Sequence, residues 1–345
     1  MDEREELRAA VRGLLSGYPA RAAMSSPDGY DAGLWARLCK EIGAAGLAVP
    51  EEYGGSGATL LEACVVLAEL GRTLTPAPML GCAVLATQAL LLSGDEEARA
   101  RLLPDICAGD RIVAVCWEAD CREADRDRLT GEARDVLDAA AADTLLVTAG
   151  GGLWEVDAAA PGVTRDATAA LDPTRRLGAV RFDGAPARRL AGGDPRPALR
   201  DVACVALSAE QVGAAERALE LTVDYTKTRV QFGRPIGSFQ VLQHRLAAAH
   251  VRLEAARAAS EAAAEALTAG AADAPARAAV AKVCCSETLQ AIAAEMVQMH
   301  GGIAITWEHD AHLYLRRAWA AAQLFGAPAA HVDRLADLVI SDLSR

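Results

Sequence analysis

The stretch Arg229-Val230-Gln231-Phe232-Gly233-Arg234-Pro235-Ile236-Gly237-Ser238-Phe239-Gln240 is answered further along the chain by Gln298-Met299-His300-Gly301-Gly302. Both turns carry groups suited to gripping a phosphate-type anion. An Arg guanidinium can pair with phosphate oxygens through its planar fork, Gln amides and Gly N–H groups can donate to them, and a Gly turn lets backbone approach closely. A single Arg-bearing turn between helices is usually only a solvated loop. Two such turns flanked by helices are a more specific signal. Working outward, residues 199–229, 239–268 and 274–299 read as helices. In the first, Val202, Val205, Ala206, Ala209, Val212, Gly213 and Leu219 face a core and are mostly small enough for neighbouring helices to come close. In the second, Arg257-Ala258-Ala259-Ser260-Glu261-Ala262-Ala263-Ala264-Glu265 combines the best helix former with charges at helical intervals, which argues against low-complexity disorder. A further helix runs through Leu313, Leu315 and Ala318.

The chain has 345 residues, enough for two or three domains. Its 52% hydrophobic content comes largely from Ala, and no apolar run reaches the length of a bilayer span. Met1-Asp2-Glu3-Arg4-Glu5-Glu6-Leu7 is charged and of mixed sign, unlike a secretory signal. Nine cysteines (Cys39, Cys64, Cys82, Cys107, Cys116, Cys121, Cys204, Cys284 and Cys285) show neither metal-ligand nor disulfide-framework spacing, which points to a reduced, cytoplasmic setting. A net charge of −12 makes nucleic acid a poor partner, since neutralising phosphates needs a basic face.

The first third reads as helical. Residues 2–16 and 31–45 show helical spacing, with Leu34, Leu38 and Ile42 on one face and Gly46 and Pro50 as punctuation. Helices are predicted over about 60–73 and 80–93, with a short one from Glu96 to Leu103 ending at Pro104. Then the period changes. Ile112–Trp117, Leu145–Thr148, Leu153–Val156 and Ala179–Phe182 are short apolar or alternating runs separated by Gly, Asp and Pro, the pattern of an antiparallel β region.

The two turns resemble those of the acyl-CoA dehydrogenase family. So does Gly46-Leu47-Ala48-Val49-Pro50-Glu51-Glu52-Tyr53-Gly54-Gly55-Ser56-Gly57, which is similar to a Gly-rich loop of that family's first domain. The resemblance spans essentially the whole chain. It implies a mainly α fold with a small β domain: an N-terminal helical domain over 1–110, a shortened middle antiparallel β domain over 111–197, and a C-terminal four-helix bundle over 198–345 that makes oligomer contacts. It also implies that Arg229, Gln231, Phe232, Gln240, Gln298, Gly301 and Gly302 hold the pyrophosphate and adenylate half of an FAD bound mainly by a neighbouring subunit. The substrate class implied is an acyl-CoA thioester.

Departures from the family pattern are as informative. The family covers its flavin ring with a Thr-Glu-Pro strand, a Gly-Ser-Asp loop and a Trp/Phe-Ile-Thr/Ser segment. Here Cys116-Trp117-Glu118-Ala119-Asp120 replaces the first, and Leu129-Thr130-Gly131-Glu132-Ala133-Arg134-Asp135-Val136-Leu137-Asp138 runs almost directly into Ala142-Asp143, so the domain reads as shortened where the flavin ring would sit. α,β-Dehydrogenation needs a carboxylate to take the α-proton while hydride leaves the β-carbon. Counted from Gly301-Gly302, the family's Glu-Gly pair becomes Phe325-Gly326, and the alternative position falls near Ala203. Neither can abstract a proton. Of the nearby carboxylates, Glu308 lies in a segment that is structural in the family and Asp201 is out of register by about half a helical turn. His300, His309 and His312 invite a catalytic or metal reading, but no Cys or carboxylate joins them at ligand spacing except Glu308 and Asp310, and the resemblance explains the segment without a metal.

No catalytic residue is therefore assigned. The pattern is similar to the base-lacking subunit of actinobacterial α2β2 acyl-CoA dehydrogenases that act on sterol side chains and other bulky thioesters, in which a homologous partner carries the base and the flavin cover. The Ala/Arg-rich composition, with Lys40, Lys227 and Lys282 the only lysines, suits a high-GC genome. Two other readings remain open: a stand-alone flavoenzyme of the same fold with altered chemistry, and a structural partner that binds no flavin.

Overall fold

The computed structural model describes residues 3–26, 28–117, 119–124 and 127–343; Met1, Asp2 and Glu118 of the motifs quoted above lie outside these. In chain order the helices are α1 (Glu3–Leu15), α2 (Ala20–Met24), α3 (Ala32–Arg37), α4 (Leu60–Thr73), α5 (Thr87–Ser93) and α6 (Glu96–Ala108). Among the described residues the strands include β1 (Val113–Cys116), β2 (Ala119–Glu123), β3 (Arg128–Leu137), β4 (Thr144–Ala149), β5 (Gly152–Asp157), β6 (Val163–Ala167), β7 (Leu177–Pro186) and β8 (Arg188–Arg189). The chain continues with α7 (Arg196–Thr228), the short strands β9 (Val230–Gln231) and β10 (Arg234–Pro235), then α8 (Gln240–Thr268), α9 (Ala274–His300), α10 (Ala311–Gln323) and α11 (Pro328–Leu343). The fold is mainly helical with a small β domain, as the sequence implies. Contacts group residues 1–66 with 75–203 in one unit and 67–74 with 204–345 in a second, so α4 and α7 run through both.

In the first unit the helices start where local chemistry dictates. Asp31 and Asp95 accept hydrogen bonds from the Leu34 and Ala98 N–H groups and so cap α3 and α6. Two expected helices are wider than α-helices over part of their length: Leu38–Ile42 and Met79–Ala86 are π-helical. The latter stretch is buried throughout, so its expanded turns are packed on every side. The predicted stop at Pro104 is overturned, because α6 continues to Ala108 with Pro104 inside it. Leu102, Leu103, Ile106 and Cys107 are buried on both sides of the proline, and that apolar burial outweighs the lost backbone bond. Gly109, at φ 78°, ends the helix.

The β region forms two four-stranded sheets, ordered β1-β4-β5-β8 and β2-β3-β7-β6. All these pairings are antiparallel except β1 with β4, which is parallel. The inner faces share one core that includes Cys116, Leu129, Ala133, Val136, Leu145, Trp154, Val180 and Phe182. The segment Leu129–Leu137, which the sequence reading left without a strand, lies within the interior strand β3. Its alternation is hidden by two register shifts against β7, between Leu129 and Gly131 and between Ala133 and Val136.

The second unit packs helices through small side chains. Ala206, Ala214, Ala215 and Ala218 of α7, Ala256, Ala263 and Ala264 of α8, and Ala278, Ala279 and Ala293 of α9 are all buried. The approach is tightest where residues 67–74 at the end of α4 meet α7. A Cβ added to Gly213 would lie 1.9 Å from the Ala68 carbonyl oxygen, and one added to Gly71 would lie 2.1 Å from the Glu210 carbonyl oxygen. Around this crossing Arg72 pairs with Glu216 and Glu220, and the Tyr314 hydroxyl donates to the Arg72 carbonyl oxygen. Fully buried Lys282 of α9 donates through Nζ to the carbonyl oxygens of Ala321 and Ala322 at 3.0 and 3.1 Å, satisfying the C-terminal end of α10.

Candidate functional site

The α7–α8 connection is a tight hairpin. Gln231 faces Arg234 and Val230 faces Pro235 across β9 and β10, and the two turn residues, Phe232 and Gly233, take φ of 55° and 76°. Positive φ at both central residues is the geometry that matches the twist of a two-residue hairpin. The base of the hairpin is closed by the Ile236 N–H donating to the Arg229 carbonyl oxygen at 2.8 Å. Gly237 lies against the last turn of α7, where an added Cβ would be 3.0 Å from the Thr226 carbonyl oxygen.

The donors predicted from sequence sit on an open surface. Arg229, Gln231, Gln240, Gln298, Gly301 and Gly302 are exposed, and Phe232 at the hairpin tip is 91% exposed. Arg234, not among the residues assigned from sequence, stacks its guanidinium 4.1 Å from the centre of the Phe239 ring, so the hairpin carries a second, oriented cation. Gln240 opens α8. The N-cap of that helix, Phe239, provides no side-chain hydrogen bond, leaving the positive end of a long helix without a side-chain cap. A Cβ added at Gly233, Gly301 or Gly302 would meet nothing within 4 Å, so backbone N–H groups here can be approached closely. An anionic group suits this set of donors.

The second turn joins the first through aromatic rings. Tyr225, one turn before the end of α7, stacks on His300 at the end of α9, with ring centroids 4.2 Å apart and planes at 25°. The Tyr225 hydroxyl donates to the His300 carbonyl oxygen at 3.3 Å. His300 is buried, its Nδ1 bonds the Met296 carbonyl oxygen at 2.7 Å, and burial holds its pKa below the usual imidazole value. Its Nδ1 therefore carries the proton, and Nε2 is buried with no partner among the described residues. On His300 also packs His309, 4.4 Å away, whose Nδ1 accepts the Ala311 N–H at 3.0 Å. Sequence reading considered these histidines only as metal ligands or catalysts. The findable signal was Tyr225 standing one helical turn before Arg229. Among the described residues no cluster of His, Cys, Asp and Glu could hold a metal ion.

The positions considered for a base fall in both units. Ala203 is fully buried and Asp201 nearly so, both in the first unit. In the second, Phe325 is half-buried at φ 59°, its carbonyl oxygen accepting from His331 Nε2 at 2.9 Å. Glu308 is exposed in the loop before α10. A groove between α7 and α8, floored by Leu219, Val223 and Leu253, has its flanking carboxylates already paired: Glu216 with Arg72 and Arg257, and Glu254 with Arg257.

Comparison with known proteins connects this geometry to a family. Residues 1–110 match the model described as acyl-CoA dehydrogenase, N-terminal domain, and residues 201–340 the corresponding C-terminal domain. The chain is 44% identical to acyl-CoA dehydrogenase IpdE2 of Mycobacterium tuberculosis, over 97% of this chain and 96% of that protein. It belongs to the acyl-CoA dehydrogenase family. Among solved acyl-CoA dehydrogenases it is similar to the Tcur3481–Tcur3483 steroid ACAD G363A variant, with TM-score 0.92 and 33% identity over 100% of this chain and 99% of that one. It is also similar to the ChsE4–ChsE5 complex from Mycobacterium tuberculosis, with TM-score 0.91 and 27% identity over 99% of this chain and 98% of that one. No helix among the described residues of this family member is long and apolar enough to cross a membrane.

Proposed function

We propose that this chain is one subunit of a heteromeric, FAD-dependent acyl-CoA dehydrogenase. Its exposed turns grip the pyrophosphate and adenylate half of an FAD whose flavin ring and catalytic Glu belong to a homologous partner. The observation carrying this reading is the outward-facing set of Arg229, Gln231, Phe232, Gln240, Gln298, Gly301 and Gly302 beside an uncapped α8, donors suited to an anion and unused within the chain's own core. Support comes from Phe325 and Ala203 standing where a base would be expected, and from the two-component names of the similar steroid ACAD and ChsE4–ChsE5 structures. FAD, when bound, supplies the acceptor for hydride leaving the substrate β-carbon. Arg229 and Arg234 would neutralise phosphate charge, the two Gln amides of the hairpin and α8 would donate to phosphate oxygens, and the Gly301-Gly302 backbone would allow close approach. A bulky, sterol-derived acyl-CoA is the proposed substrate, and the middle β domain over 111–197 the proposed site of shortening.

The test is the flavin-to-protein ratio of the chain purified alone and with its partner. The chain alone should be colourless or poorly soluble, and yellow and soluble with the partner. Full flavin occupancy and turnover by the isolated chain would overturn the proposal. Within the complex, Arg229→Ala removes a charge-assisted contact worth about 1.5–3 kcal/mol, or about ten- to a hundredfold in FAD affinity. Arg229→Lys should restore only part, because the ammonium lacks the fork.

A further inference from the structure

We infer that Tyr225, His300 and His309 are positioning residues, a ring stack that fixes the Arg229 turn against the Gly301-Gly302 turn. The stack joins three helix ends. Tyr225 is in the last turn of α7, His300 ends α9, and His309 lies two residues before the start of α10. Tyr225 acts in two directions. Its carbonyl oxygen accepts the Arg229 N–H at 2.9 Å, and its hydroxyl donates to the His300 carbonyl oxygen at 3.3 Å while the rings stack at 4.2 Å. A displacement of either turn is thereby passed to the other. His309 packs on His300 with centroids 4.4 Å apart and planes tilted by 46°, and through Nδ1 it accepts the Ala311 N–H, which ties the largely exposed 301–310 segment to the start of α10.

The chemistry of His300 fits a spacer. Nδ1–H is committed to Met296, and Nε2 is too buried to be reached by an outside ligand, so the ring neither grips nor catalyses. It packs instead between the phenol of Tyr225 and the imidazole of His309. That a buried imidazole keeps an acceptor unpaired is a cost, and a fold retains it where the ring's shape and stacking matter more. Two turns held at fixed separation pre-organise their donors, so less ordering is left to the binding step. The purpose assigned to the stack rests on the phosphate-gripping reading; the coupling itself does not.

The experiment is amide hydrogen exchange on the full chain, read over residues 229–236 and 301–311, with the middle of α9 as internal reference. Tyr225→Leu should speed exchange in both segments about tenfold relative to the reference, whereas Tyr225→Phe, which keeps the ring, should stay within about threefold of wild type. His309→Leu removes only the outer ring. It should speed 301–311 and leave 229–236 unchanged, which keeps the test decisive if the Tyr225→Leu chain does not fold. Equal exchange in Tyr225→Leu and wild type, or no response of 301–311 to His309→Leu, overturns the inference. With FAD as probe in the co-purified complex, Tyr225→Leu should weaken retention about tenfold and Tyr225→Phe restore it. Arg229→Ala should lose FAD without altering exchange. If Arg229→Ala retains FAD, the gripping role fails, and the exchange data still judge the stack.

Discussion

Replacing Gly213 with alanine should destabilise the second unit, against the ordinary preference of helices for alanine. At a solvent-facing helical site the change would be favourable by about 0.8–1.0 kcal/mol. Here the added methyl would lie 1.9 Å from the Ala68 carbonyl oxygen, 2.6 Å from its carbonyl carbon and 2.9 Å from its Cα. Ordinary carbon contacts begin near 3.4 Å, so α7 and the end of α4 would have to separate by about 1.5 Å, and backbone cannot swing aside as a side chain does. Overpacking of this kind costs about 1–3 kcal/mol by itself. The separation would also pull on Arg72, which holds Glu216 and Glu220 on α7, and hydrogen bonds to charged groups contribute about 1.5–3 kcal/mol each. With the propensity gain subtracted, a net loss of about 2–4 kcal/mol is expected. Urea unfolding of wild type and Gly213→Ala measures it directly. A midpoint raised, or unchanged, would mean that the helices do not cross at this distance. Gly71→Ala, whose methyl would meet the Glu210 carbonyl oxygen at 2.1 Å, should behave alike, and the double variant should lose less than the sum because one separation relieves both clashes.

Lys282→Met should lower stability by about 1.5–3 kcal/mol, seen in thermal unfolding, because the Ala321 and Ala322 carbonyl oxygens lose a buried donor. His300 has a folded pKa lowered by burial, so the unfolded chain binds its proton more readily. Its contribution is complete above the unfolded value, about 6.5, and is lost as pH falls through the lowered folded value. Acidification from about pH 7 should therefore reduce the melting temperature, and His300→Phe should flatten that dependence. Alkylation of the native chain should label Cys121 and Cys284 before the seven buried cysteines, where burial pushes Cys39, Cys64 and Cys285 up to about 12; mass spectrometry of time points checks the order. Phe325→Glu in the isolated chain should produce no acyl-CoA oxidation, since a base without a positioned hydride acceptor gains nothing.

What could be read from the sequence was whatever depends on local pattern. The long helices α7, α8 and α9 follow from small apolar side chains at helical period, and their ends match the expectation to within a few residues. The value of Gly213 in allowing close approach was legible, but its partner Ala68 was not, because that contact joins segments far apart in the chain. β3 escaped notice because its two bulges break the alternation on which a strand is recognised, and its charged residues Arg128, Glu132, Arg134 and Asp135 mask Leu129, Ala133 and Val136. Pro104 misled because a local rule yields when apolar burial continues on both sides. At the candidate site the turns were visible as motifs. Of the rings, Tyr225 left a signal by standing one helical turn before Arg229, but the packing of Tyr225, His300 and His309 together left none, since contact between the ends of separate helices leaves no spacing signature.

The hairpin tip carries a consequence of its own. A two-residue turn with positive φ at both positions is best served by Asn-Gly, yet this chain has Phe232-Gly233. The phenylalanine accepts an unfavourable backbone region and near-complete exposure, and its ring meets Phe239 edge-on with centroids 6.1 Å apart. Phe232→Asn should thus relieve strain and stickiness together, giving a better-behaved orphan and a poorer companion. If the proposed partner covers this hairpin, the two polypeptides would have to be made in balance, and any surplus of this one would present its exposed hairpin first to the cell's quality-control machinery.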